Sequence, residues 1–171
     1  MVLIDFVVAQ CRNFYFQAIE QAAAGHKQAA VELYDKAIAC RADRSEVWYN
    51  RGNALAALGQ GEAAIASYDQ AVELEPGKHE AWYNRGIELA ALQQYEAAIA
   101  SYDQAIAIQP DKHEAWYNRA CVYSLLSKVA LAIEDLQQAM VLSDRYRHLA
   151  KTDSDLDALR SREEFLTLFT Q

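Results

Sequence analysis

The chain has 171 residues, 53% hydrophobic and 23% charged, with only 6 Gly and 2 Pro, which suits one packed domain and excludes a disordered chain. Its 24 acidic against 16 basic side chains give a formal charge of −8, a field that repels phosphate backbones and argues against nucleic acid as a partner. No apolar run approaches the roughly 20 residues that span a bilayer, so no membrane insertion is expected.

The first segment, residues 1–10, is the apolar run MVLIDFVVAQ. It has no basic n-region, carries Asp5 and is not followed by a small-residue cleavage pattern, so it reads as no signal peptide and the chain as cytoplasmic. It is expected to extend the first helix backward and cover that end of the domain, with a strand or a subunit contact as alternatives.

From residue 11 the sequence repeats with a period of 34. Residues 45–78 align without a gap on 79–112, with 23 of 34 positions identical. Residues 113–146 open with HEAWYNR as the preceding unit does, and 11–44 keep Phe14, Tyr15, Ala18, Gly25, Ala30, Tyr34 and Ala37 at the matching offsets. Inside a unit apolar residues recur at three and four, as in Trp82, Leu89 and Leu92, then Ala98, Tyr102, Ala105 and Ile106, which predicts two amphipathic helices. Gly52, Gly86, Ala64 and Ala98 are small enough to let the helices of a hairpin approach closely, and Pro76 and Pro110 stop the second helices.

The spacing W-x-x-x-G, then Ala, Tyr, Ala and Pro, resembles the tetratricopeptide repeat. Trp48, Gly52, Ala64, Tyr68, Ala71 and Pro76 carry it, as do Trp82, Gly86, Ala98, Tyr102, Ala105 and Pro110. The unit 113–146 departs, with Ala120 for the glycine, Leu136 for the tyrosine and Asp144 for the proline. The resemblance implies an all-α fold, a right-handed α-solenoid of helix-turn-helix units, divergent at 11–44 and 113–146. Residues 147–171 supply Leu149, Leu156, Leu159, Phe165, Leu166 and Phe169, enough apolar surface for capping helices over the last hairpin. Ser161 and Glu164 are spaced as a capping box for the last helix. Asp153, Asp155, Asp157, Ser161 and Glu164 also match a calcium-loop spacing, but Ala158 stands where that loop needs glycine, so solvated carboxylates on short helices are expected.

For function, the resemblance implies an inner wall built from the first helix of each unit, with peptide contacts at Glu46, Tyr49, Asn50 and Asn53, at Glu80, Tyr83, Asn84 and Ile87, and at Glu114, Tyr117 and Asn118. An asparagine can donate to a peptide carbonyl and accept from a peptide amide at once, so Asn50, Asn84 and Asn118 suit backbone binding; ordinary repeat consensus is the competing explanation. The family's carboxylate clamp for acidic chaperone tails is disfavoured, because its lysine positions fall on Tyr49 and Glu114 and its last basic position on Asn118. The glutamates point to a neutral or basic segment, although they also complement helix dipoles. Arg51 and Arg85 are expected to pair with aspartates of the following helix, Asp69 and Asp103. Cys11, Cys40 and Cys121 form no CxxC pair and read as buried thiols; His79 and His113 recur with the repeat and make no metal site, and no cofactor is expected. No nucleophile elbow or phosphate loop is present, so the chain is expected to be no enzyme. The expected function is a scaffold, adaptor or assembly chaperone holding a polypeptide segment; the alternative is a self-assembling homo-oligomer joined through residues 1–10 and the solenoid ends.

Overall fold

The computed structural model describes the backbone of residues 2–170 and the side chains of residues 9–170. The role given to residues 1–10 as an end cover rests largely on side chains outside that range. Among the described residues the chain is all helical. Four hairpins follow one another: α1 (Val2–Ala23) with α2 (Lys27–Cys40), α3 (Ser45–Ala56) with α4 (Gly61–Leu74), α5 (His79–Ala91) with α6 (Tyr95–Ile108), and α7 (His113–Leu125) with α8 (Val129–Leu142). Two short helices, α9 (Arg145–Leu149) and α10 (Glu163–Thr167), flank a 3-10 helix at Ser154–Leu159. Each hairpin also packs on the next, so the core is a continuous stack of pairs, an α-solenoid with a helical cap.

The close approach in the middle hairpins has a steric cause. A methyl group added at Gly52 would lie 2.5 Å from the ring of Tyr68, and one at Gly86 would lie 2.5 Å from the ring of Tyr102. Both tyrosines are all but fully buried, each burial contributing about 1.5–3 kcal/mol. In the fourth unit both partners change: Ala120 takes the glycine position and Leu136 the tyrosine position, and both are fully buried. The turn inside each hairpin contains one residue at positive φ, at the same repeat offset: Gly25, Gly59, Gln93 and Ser127. Only the first two are the glycines that this geometry favours.

Between units, tryptophans hold the loops. Trp48, Trp82 and Trp116 donate from Nε1 to the carbonyl oxygens of Ala42, Pro76 and Pro110 at 2.8, 3.0 and 2.9 Å. Arginines then cross the unit boundaries, but with a register different from the expected one. Arg51 reaches Asp35 at 2.7 Å and Arg85 reaches Asp69 at 2.6 Å, both aspartates of the preceding unit. The following helix offers serine instead, Ser67 at 2.7 Å and Ser101 at 2.6 Å. Arg119 grips both sides, Asp103 behind it and Asp135 ahead, the latter through two bonds of 2.7 and 2.8 Å. Asp135 occupies the Ser67 and Ser101 position and is 3% exposed; burial pushes its carboxyl up, and Arg119 acts against that shift.

Two smaller expectations are corrected. Cys11 and Cys121 are buried, but Cys40 is exposed because it is the last residue of α2. The Ser161–Glu164 capping box does not form, since α10 begins at Glu163, its N-cap residue is Arg162, and no side chain caps it.

Candidate functional site

The first helices α1, α3, α5 and α7 touch one another from unit to unit, which places them on the inner side of the stack. On this wall Tyr49, Asn50, Asn53, Tyr83, Asn84, Ile87, Asn118 and Glu114 are half-buried, and Glu46 and Glu80 are exposed. Tyr117 differs: it is 3% exposed.

The asparagines and tyrosines form an inter-unit ladder. Asn50 donates to the Tyr15 hydroxyl at 3.1 Å, Asn84 to that of Tyr49 at 3.4 Å and Asn118 to that of Tyr83 at 3.2 Å. Asn84 also donates to Oδ1 of Asn53 at 2.9 Å, an oxygen that accepts from the Tyr68 hydroxyl at 2.9 Å as well. Each amide is therefore held in one orientation, while among the described residues no donor reaches the Oδ1 atoms of Asn50, Asn84 and Asn118. The tyrosine rings are fixed from a second side by cations, Arg44 over Tyr15, Lys78 over Tyr49 and Lys112 over Tyr83, with the charged group 5.1, 5.7 and 4.8 Å from the ring centroid. Burial and the nearby Glu114 push the Tyr83 hydroxyl up to about 12, so it is neutral at physiological pH.

The glutamates are answered within the chain. Lys78 lies in the field of Glu46 and Glu80, and His79 is 3.5 Å from Glu80. Glu114 is 3.3 Å from Lys112, 3.2 Å from His113 and 3.8 Å from Arg145. Although burial acts the other way, its backbone hydrogen bond, Lys112 and His113 hold its carboxyl below the usual range.

The tail was not foreseen as part of the wall. Tyr117 stacks on Tyr146 with centroids 4.5 Å apart and donates its hydroxyl to Asp153 at 2.7 Å. The 3-10 helix thus lies against α7 and covers the wall at the fourth unit. Aspartates spaced as in a calcium loop are dispersed instead: Asp157 pairs with Arg160 at 2.7 Å, while Asp153 and Asp155 gather with Cys121, their ligand atoms within 4.8 Å of one another. A hint was legible, since Tyr146 sits at the repeat position of Arg44, Lys78 and Lys112 and takes their place over the next tyrosine.

Besides a hollow of about 430 Å³ at Arg12, Tyr15, Phe16 and Arg44, two more open on the wall. One, of about 370 Å³, is lined by Ile19, Tyr34, Asn50, Asn53 and Ala54 among others. The second, of about 440 Å³, lies where units three and four meet the tail.

Comparison with known proteins agrees with this architecture. The sequence matches the tetratricopeptide repeat profile over residues 45–78 and 79–112, and a second profile of the same description over 101–134, so that together they span more than half of the chain. No curated protein sequence matches it. Among solved structures, one described as YrrB, a TPR protein with an unusual peptide-binding site, superposes with a TM-score of 0.76 at 22% identity, over 82% of this chain and 74% of that one. A crystal structure of MamA gives 0.84 at 20% identity, over 94% and 88%. The first TPR of Spaghetti (RPAP3), bound to an HSP90 peptide, gives 0.66 at 21% identity, over 68% and 93%.

Proposed function

This chain belongs to the tetratricopeptide repeat family, and we propose that it is a non-catalytic cytoplasmic scaffold, an adaptor or assembly chaperone, that holds a polypeptide segment along the wall formed by α1, α3, α5 and α7. The observation that carries this reading is the ladder. Its amide nitrogens are fixed by tyrosine hydroxyls, so the row of free Oδ1 acceptors at Asn50, Asn84 and Asn118 is held ready for the N–H groups of an extended segment. Tyr49 and Tyr83 stand beside the row as flat apolar area with a polar tip. That two structural neighbours are described with peptides or a peptide-binding site supports the same use of the fold. The segment is neutral or basic, because among the described residues the cations that recur along the wall, Arg44, Lys78 and Lys112, are engaged with tyrosine rings.

A photo-reactive phenylalanine derivative placed at Tyr49 or Ile87, and on the outer helices at Gln70 or Gln104, tests this in a lysate of the native source. Adducts with one polypeptide from the inner sites alone are expected; adducts from the outer sites alone would place recognition elsewhere. With that client in hand, replacing Asn50, Asn84 and Asn118 together by alanine should weaken binding by about 1.5–4.5 kcal/mol if effects add. Circular dichroism on the same variant separates lost binding from lost folding.

A further inference from the structure

The hollow between α5, α7 and the tail combines three kinds of surface. Ile87, Ala90 and Leu125 give it apolar walls, and Asp153 and Asp155 supply two carboxylates. Arg160 approaches only the backbone oxygen of Asp153, and among the described residues no basic side chain pairs with the carboxylate of Asp153 or Asp155. The Asp153 carboxylate accepts from the Tyr117 hydroxyl and the Asp155 amide, and Asp155 is exposed beside it. Desolvation and the neighbouring Asp153 and Asp157 push the Asp155 carboxyl up, which a cation in the hollow would relieve.

The third surface is a hydroxyl. In the second unit Tyr68 donates to Asn53 Oδ1 at 2.9 Å, but in the third unit Ile87 stands at the asparagine position, and Tyr102 loses that acceptor. Asn118 beside it acts only as a donor, so the Tyr102 proton has no acceptor among the described residues. Tyr102 is 1% exposed and lines this hollow. A hydroxyl that lines the hollow with an unused proton can donate to an arriving acceptor.

We infer that this hollow takes a lysine or arginine side chain of the bound segment, its methylenes along Ile87, Ala90 and Leu125, its charge at Asp153 and Asp155, and a segment carbonyl at the Tyr102 hydroxyl. This rests on the groove reading above and adds the residue that anchors the segment. The net charge of −8 favours the same partner at long range. The anchor comes from the tail and from one departure, Ile87, and so is confined to the junction of the third and fourth units.

The test is a titration of the nitrogen-15-labelled chain with N-acetyl-lysine methylamide, read by amide chemical shifts, with N-acetyl-norleucine methylamide as the uncharged control. Saturable shifts at Ile87, Cys121, Leu125 and Asp155 are expected, with the lysine compound about tenfold tighter, as one charge-assisted hydrogen bond implies. Asp155→Asn, at an exposed position, should abolish that preference and leave the norleucine response unchanged; Tyr102→Phe should weaken both compounds. Equal affinity for both, shifts elsewhere, no saturable response, or a preference that survives Asp155→Asn and Asp153→Asn overturns the assignment. Inner-wall adducts without lysine recognition sink the pocket alone; lysine recognition without such adducts sinks the groove reading.

Discussion

The third and fourth units share a 34-residue period yet solve the same packing problem with different residues. In the third, Gly86 makes room for the Tyr102 ring, and Arg85 spans Ser101 and the half-exposed Asp69. In the fourth, Ala120 faces Leu136, Arg119 clasps the buried Asp135, and the tail closes over Tyr117. The contacts change in matched sets. A departure from the repeat pattern at one position is therefore informative only with its partner, and the divergence at the end of the stack is a repacking toward the cap.

The largest test of this difference is charge removal. Arg119→Met would leave Asp135 buried without its cation, and a loss of about 3–5 kcal/mol is expected. Arg85→Met strands a half-exposed aspartate and should lose about 1 kcal/mol or less. Equilibrium urea unfolding of both variants measures the gap, and equal losses would dissolve the distinction between the units. Next in size is the steric pair: Gly86→Ala should cost about 1–3 kcal/mol from the clash with Tyr102, despite alanine's better helix propensity. Adding Tyr102→Leu, which reproduces the Ala120 and Leu136 combination, should recover part of that loss in thermal melting.

Alkali acts on different groups in the units: Tyr34, Tyr68 and Tyr102 occupy the position that Leu136 holds in the fourth, where Tyr117 and Cys121 are buried instead. Burial raises all three hydroxyls above the ordinary 10.0, Tyr34 to about 12. A raised folded pKa means that their contribution is fully present below pH 10 and is lost as pH rises from there through the folded values. Burial raises the Tyr117 hydroxyl and the Cys121 thiol of the fourth unit as well, so hydrogen exchange is expected to show all four units loosening in alkali. The smallest effect lies in the turns: Gln93→Gly should stabilise by up to about 1 kcal/mol, since Gln93 has φ +59° where the second unit has Gly59, whereas Gly59→Ala should destabilise. Melting temperatures of the two variants should move in opposite directions.

Period, hairpins and the glycine–tyrosine contact were legible in the sequence because each follows from spacing within a unit. The arginine pairing was not, because Asp69 is nearly as far in sequence from Arg85 as from Arg51, sixteen and eighteen positions, and only three-dimensional stacking chooses the preceding unit. The tail was read correctly as a cap, but its chain path was hidden: no repeat register applies after residue 146, so nothing announced that Asp153 would meet Tyr117. For the candidate site, the helix that carries each residue follows from the repeat, and the contacts of its side chain do not. Asn50, Asn84 and Asn118 were assigned both peptide bonds, yet their amide hydrogens are directed to Tyr15, Tyr49 and Tyr83.

The boundary-crossing arginines make the stack a zipper whose teeth are numbered. Arg51, Arg85 and Arg119 each fasten their own unit to the one before, so a unit's closure is conditional on its predecessor. The same offset in the first unit carries Gln17, which is exposed. The first hairpin can therefore open without breaking an arginine bond of its own beyond Arg51 to Asp35, an exposed pair, while the last is locked by Asp135 and the tail. In the language of a one-dimensional lattice, each boundary carries one such bond, and the fourth unit adds Asp135 within itself and the tail beyond it.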